Sequence, residues 1–324
     1  SMDFKIVKSN EPLQARPLLT TIFGMPGIGK TSLSFTMPGP ILHFDFDRGI
    51  TRACQQYRPD SVQLNSFGDL YNHVMSEDFE KKTLQDGKYK TVVLDTIGTL
   101  LDDFAAPYLI SKNPKNGNGS GGLGLSGWGN LGILFNNFIA RFRNLGLEVV
   151  LIAHAKESGS DNNQVTTMAV KGGSLDIIQR ASDLIGFVNM KGDFRTLDFN
   201  PKQDRIGKNT AGLKPVDIPD INTENHPGFM AKIIDACKMK MAEQSKSMLE
   251  FNVALEEYKA SLEECDKPAD FTAFINGLAE EPNKLLRTQL KPFLKTALDS
   301  KGFYFDKEAA EVKIKEENPV ENEA

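Results

Sequence analysis

The sequence predicts an α/β protein: a doubly wound, mostly parallel sheet followed by a small helical region at the C-terminal end. Three observations carry this reading. Apolar runs of strand length alternate with helical periodicities over most of the 324 residues. The first run, Leu18-Leu19-Thr20-Thr21-Ile22-Phe23, leads through a glycine-rich turn into Ser32-Leu33-Ser34-Phe35, which can open a helix. From Phe229 onward the pattern is helical almost without a break.

The elements follow in order. Pro38-Gly39-Pro40 breaks the chain after the first helix, and Ile41-Leu42-His43-Phe44-Asp45-Phe46-Asp47 reads as a second strand that turns acidic at its exit. A mixed helical segment spans Ser66 to Phe79, and Asp86-Gly87 marks a turn. Thr91-Val92-Val93-Leu94-Asp95 is a third strand ending in an acid, and Leu100 to Ile110 is helical. Lys112 to Asn130 is dominated by Gly, Asn and Ser; it has little apolar surface to bury and is expected to be a mobile loop. Leu131 to Leu145 returns to helical spacing with Leu134, Phe138 and Phe142 on one face, and Leu147 to His154 is a fourth strand. A second polar loop runs from Lys156 to Lys171 and ends at Gly172-Gly173. Short strands at Ala181 to Val188 and Phe194 to Phe199 are joined by a turn at Gly192-Asp193, and Lys214 to Gly228 reads as a linker. Helices are then expected over Phe229 to Glu264, Asp270 to Leu278 and Leu285 to Leu298, with apolar stripes Phe251, Leu255, Tyr258, Leu262 and Phe271, Phe274, Leu278. The resulting division is a domain over 12–235, a helical region over 236–307 and an acidic, disordered tail over 308–324.

Composition narrows the function classes. A net charge of −5 argues against constitutive coating of DNA while leaving room for a local basic surface. The 3 cysteines, Cys54, Cys237 and Cys265, suggest neither a disulfide framework nor a zinc site, and free thiols fit a reducing cytoplasm. No apolar stretch approaches membrane-spanning length, so no membrane partner is expected.

Gly24-Met25-Pro26-Gly27-Ile28-Gly29-Lys30-Thr31, followed by Ser32, spells a complete phosphate-binding loop between a strand and a helix. Its glycines let successive backbone N–H groups face an anion. Lys30 can then reach the β- and γ-phosphates, and the Thr31 hydroxyl can ligate Mg²⁺. The implied ligands are ATP and Mg²⁺. Asp95, at the end of an apolar strand, suits the metal-associated acid beside Thr31. Asp47 and Asp45 share one strand face; Asp47, nearer the exit, is the better general-base candidate, although both could serve as caps or pair with Arg48 or Arg52. His154 closes the fourth strand, either as a sensor of the γ-phosphate or as a structural residue. A GTPase is disfavoured because no Asn-Lys-x-Asp element follows the fourth strand. A small-molecule kinase stays open as an alternative, although no arginine-rich lid is evident after the P-loop.

Taken together, the order of the P-loop, the acid ending the second strand, Asp95-Thr96, the Gly-rich loop, the polar strand end at His154, the second loop and the hairpin resembles the RecA-like ATPases. It is most similar to phage-encoded members described as AAA-type nucleotide-binding proteins and Sak-type recombinases. The resemblance covers Pro12 to Asp235. It implies that Lys30 and Thr31 bind phosphate and Mg²⁺, that Asp95 holds the metal and that His154 is the sensor. Asp47 falls where the family has a catalytic Glu, which implies slow hydrolysis that depends on assembly or DNA. The family's two DNA-contacting loops would be Lys112 to Asn130, with Lys115 and Trp128, and Lys156 to Gly173, with Lys171; the alternative is two solvated connections. A finger acting on a neighbouring subunit's nucleotide would come from Lys202, Arg205 or Lys208, or these form a solvated charge cluster. The implied role is phage DNA recombination or replication in the host cytoplasm, gripping single-stranded DNA in a self-associated ring or filament, with a phage recombination or replication protein as a further partner. The competing reading is a nucleotide-dependent assembly or adaptor protein with little turnover and no DNA contact.

Overall fold

A computed structural model describes residues 6–316 apart from 14, 53, 54 and 65. Cys54 and residues 317–324 of the expected tail lie outside the described residues. The chain divides into two compact units, Ala15–Met241 and a second made of Ala242–Ala324 with Ser1–Gln14. The division falls inside a long helix, α7 (Phe229–Glu264), so the helical periodicity that runs through it gives no mark of the boundary.

Six parallel strands form the heart of the first unit. They are β1 (Leu19–Gly24), β2 (Ile41–Asp45), β3 (Asp60–Val62), β4 (Thr91–Asp95), β5 (Glu148–Ser158) and β7 (Leu184–Lys191), in the order β7-β1-β5-β4-β2-β3. The antiparallel strands β8 (Phe194–Asp198) and β10 (Val216–Ile218) extend the β7 edge, β6 (Val165–Met168) pairs with the far end of β5, and β9 (Lys208–Asn209) pairs with β7. β1, β2 and β4 are buried along their whole length, which is why they read as near-continuous apolar and β-branched runs. Period-2 alternation sorts their side chains into two cores. Leu19, Phe23, Val149 and Leu151 face a layer that includes Phe135, Phe138 and Phe142 of α5 (Leu125–Asn144), while Ile22, Val150 and Ile152 face Leu33 after the P-loop and Met230 and Ile234 of α7.

Several expectations need correction. Lys214 to Gly228 is not only a linker, because Val216–Ile218 pairs with β8 at the sheet edge. Lys112 to Asn130 is not one open loop. α5 already begins at Leu125, and what remains is closed by a bridge between Gly117 and Leu123 and by the buried Asn116. The Asn116 amide donates to the Leu109 carbonyl (2.9 Å) and its oxygen accepts from Asn130 (2.8 Å). Gly and Asn are common here because the turn is built from side-chain-to-backbone bonds, with Asn118 Oδ1 accepting from the N–H groups of Ser120 and Gly122. Lys156 to Lys171 is mostly a β-hairpin of β5 and β6, with its exposed turn at Gly159–Gln164.

The second unit has its own core. The stripe residues Phe251, Leu255, Tyr258 and Phe274 pack with Leu278, Leu286 and Leu290 of α8 (Pro268–Ala279) and α9 (Lys284–Ser300). Leu262, Phe271, Leu298, Phe303 and Val312 form a second cluster. Phe303 and Val312 belong to a hairpin of β11 (Phe303–Asp306) and β12 (Glu311–Ile314), so residues 308–314 are folded where a disordered tail is expected. The alternation of Val312 and Ile314 with charged neighbours is short, and the surrounding charge hides it.

Candidate functional site

The parallel register brings the carboxyl ends of the strands together, where open α/β sheets bind ligands. Gly24 stands opposite His154 across β1 and β5, and Asp45 stands opposite Asp95 across β2 and β4. Asp45, Asp95 and His154 line a cavity of about 430 Å³ together with Gly27, Gly29, Lys30, Thr31, Asp47 and Thr96. A second cavity of about 440 Å³ is lined by apolar residues such as Leu42, Phe44, Leu70 and Phe79 with Asp69, His73 and Lys82, and shares none of the P-loop residues.

The loop has the shape the sequence requires. Gly27 and Gly29 adopt φ of 79° and 91°, values that cost a side chain strain and that turn consecutive N–H groups into one concave surface. Lys30 opens the helix α1 (Lys30–Ser34), is 4% exposed and donates from Nζ to the Met25 carbonyl (2.9 Å). Burial lowers its pKa to about 8, while the Asp95 carboxylate pulls the other way. Thr31 donates its hydroxyl proton to Asp95 Oδ2 at 2.7 Å. Mg²⁺ with a nucleoside triphosphate fits these residues: a concave N–H surface and one ammonium for the phosphates, and an adjacent hydroxyl and carboxylate for the metal.

The two acids of the second strand have separate tasks. Both Asp45 oxygens are occupied, Oδ1 by the Gly49 N–H (2.8 Å) and Oδ2 by the Ile50 N–H (3.0 Å), so Asp45 shapes the turn after β2. Asp47 lies beyond the end of β2 at the cavity wall, where its Oδ2 accepts the Thr96 hydroxyl proton (2.8 Å). That contact, rather than Arg48 or Arg52, orients it. His154 is partly buried and its Nδ1 is buried without a hydrogen-bond partner among the described residues. Burial and the Lys30 ammonium hold its pKa below the ordinary imidazole range, against Asp47 and Asp95, so the ring is neutral at pH 7.

Other candidate residues stand elsewhere. Trp128 sits on α5, half-buried, with its ring so close to Gly173 that no side chain fits there; it joins α5 to the start of α6 (Gly172–Ala181). Asp102 fixes the same helix start, accepting from the Lys171 N–H (2.9 Å) and the Ser174 hydroxyl (2.7 Å). Lys112 and Lys115 are exposed, and Lys156 donates to the Val170 carbonyl (3.2 Å). Arg205 is half-buried and held between Asp198 (2.7 Å) and the Phe187 ring (4.9 Å), so it serves the fold and is not a free finger. Lys208 donates to the Gln179 carbonyl (3.2 Å), and Lys202 lies 3.6 Å from Asp198 with its side chain 56% exposed.

Three contacts of the site go beyond those expected from the sequence. Thr96 holds Asp47, His43 lies 3.0 Å from Asp95 Oδ2, and Arg195 of β8 donates to the Ile28 carbonyl of the P-loop (3.2 Å). A histidine inside the apolar run Ile41-Leu42-His43-Phe44 is a visible signal; Arg195 leaves none, because only strand order brings β8 to the loop.

Among the described residues no helix is long and apolar enough to cross a membrane, and no three His, Cys, Asp or Glu side chains are grouped so as to hold a metal ion by themselves. No curated protein matches the chain. A family model described as an AAA domain matches residues 16–211, which span the P-loop, both acidic strand ends and His154. With that match over more than half its length and a mostly parallel sheet presenting a complete phosphate loop, the chain belongs to the AAA-type P-loop NTPase family.

Proposed function

We propose that the chain hydrolyses Mg²⁺-ATP with Asp47 as general base, and that it uses the cycle to hold single-stranded DNA in phage recombination or replication, as the resemblance to RecA-like recombinases implies. The observation that carries the hydrolytic part is the Thr96–Asp47 contact of 2.8 Å at the cavity wall. It leaves the second Asp47 oxygen to accept a proton from a water attacking the γ-phosphorus. Lys30 and the loop N–H groups take up charge on the phosphate oxygens, and ADP departs as the bond to the γ-phosphorus breaks. Neutral His154 can donate or accept one hydrogen bond at the γ-phosphate end. Thr31 and Asp95 would hold Mg²⁺, which would supply neutralisation of phosphate charge.

The DNA part is supported by continuity. β5 runs without interruption from His154 to Ser158 and turns into the exposed hairpin, so a change at the phosphate end has a direct route to a solvent-exposed segment. In a ring or filament, Lys202 is the best placed of the three basic candidates to reach a neighbour, being the most exposed and the least tightly paired. The packing of Trp128 favours the second reading, an ATP-dependent assembly or adaptor protein, because it removes the one aromatic stacking face from the first loop.

ATP turnover with and without single-stranded DNA separates the two. The recombinase reading expects turnover stimulated by DNA, abolished in Lys30→Ala and lowered about 10²–10⁴-fold in Asp47→Asn with binding retained. It also expects salt-sensitive DNA affinity in the presence of a non-hydrolysable ATP analogue. Nucleotide binding with turnover indifferent to DNA, and no DNA affinity, assigns the adaptor role instead. Full turnover in Asp47→Asn removes Asp47 as the base.

A further inference from the structure

His43 has no evident reason to be a histidine on grounds of stability. It is completely buried on β2, beside Val93 in the sheet and edge-on to the Phe35 ring at 5.2 Å. Its Nε2 lies 3.0 Å from Asp95 Oδ2, and a carboxylate only accepts, so the proton is on Nε2. Nδ1 is then a buried acceptor, and it has no partner among the described residues. A leucine or phenylalanine would fill the same layer without leaving a polar atom unsatisfied.

What the imidazole does is constrain Asp95. The Thr31 hydroxyl (2.7 Å) and His43 Nε2 (3.0 Å) both donate to Oδ2, while Oδ1 receives no hydrogen bond from the described residues. Two donors on one oxygen fix the carboxylate plane and leave one defined oxygen for a cation or its water. The neighbouring acid is already engaged, with one Asp45 oxygen accepting from the Gly49 N–H and the other from the Ile50 N–H. We propose that His43 is a positioning residue that holds the Asp95 carboxylate in the orientation needed to receive Mg²⁺. The inference rests on the reading of this site as a Mg²⁺-nucleotide site.

The test compares the full chain with His43→Phe, which keeps an aromatic ring and removes the donor, and with His43→Gln, whose amide can reach the Nε2 position. Mn²⁺ serves as the probe, and its affinity for the protein–ADP complex is read by electron paramagnetic resonance. ADP affinity in EDTA and thermal melting are measured in parallel. We expect Mn²⁺ affinity to fall about 10–100-fold in His43→Phe, as for other partners that orient a metal-binding group, and to recover in His43→Gln. ADP affinity in EDTA and the melting temperature should be unchanged. Wild-type Mn²⁺ affinity in His43→Phe overturns the proposal, and so does a parallel loss of metal-free ADP affinity, which marks a structural role. If His43→Phe does not fold, His43→Gln against the shorter His43→Asn decides: equal Mn²⁺ affinity overturns the proposal, and a deficit confined to His43→Asn supports it. Failure of the wild-type chain to bind ADP at all sinks the underlying nucleotide reading instead, a distinct pattern.

Discussion

Lys30 illustrates how one side chain makes nucleotide binding depend on pH. Its ammonium is buried against the loop, and burial brings its pKa from 10.5 down to about 8. A triphosphate beside the ammonium favours the charged form and raises the pKa again, so binding and protonation are linked. Below about pH 8 the free protein already carries the proton, and affinity should be flat. As pH rises from about 8 toward 10.5 the free lysine loses its proton, binding must restore it, and affinity should fall by up to about tenfold per pH unit. Calorimetric titration of an ATP analogue in EDTA, in buffers of different ionisation enthalpy, reads both the slope and the proton uptake. Lys30→Met should bind weakly with no slope. A flat wild-type profile through this range refutes the linkage.

At the scale of elements, the site is held by strands that are distant in sequence, and this decides what can be read from the chain alone. The P-loop, Asp95 and His154 are legible because each ends a long apolar run, and a parallel sheet gathers such ends. β3 and β10 are not legible: Asp60-Ser61-Val62 and Val216-Asp217-Ile218 are too short and polar to show alternation, and pairing with β2 and β8 makes them strands. The Gly- and Asn-rich segment before α5 reads as loose by composition because its order comes from Asn116 and Asn118 bonding the backbone, which composition does not express. Arg195 is the functional counterpart. Its bond to the Ile28 carbonyl ties the β7–β8 hairpin to the phosphate loop, with the guanidinium packed over Gly29. One hydrogen bond contributes about 0.5–1.5 kcal/mol net, so Arg195→Ala should weaken ATP-analogue binding about 2- to 10-fold, with the melting temperature little changed. An unaltered dissociation constant shows that the loop keeps its shape without the arginine.

At the scale of the whole molecule, the two units have cores with no residue in common. The clusters around the sheet draw on Leu18 through Cys237, and those of the helical unit draw on partners from Phe251 to Val312. Leu290 offers the cleanest test, since it is completely buried against Leu278 and Leu286. Leu290→Ala removes that packing and should cost the helical unit about 2–5 kcal/mol. In calorimetry of the full chain, the substitution should lower one transition, while an ATP analogue with Mg²⁺ should raise the other through its affinity for the folded first unit. Nucleotide affinity and basal ATP turnover should match wild type. If Leu290→Ala instead lowers nucleotide affinity, or if both perturbations move a single transition, the helical unit is energetically part of the nucleotide-binding machinery and not an appendage to it.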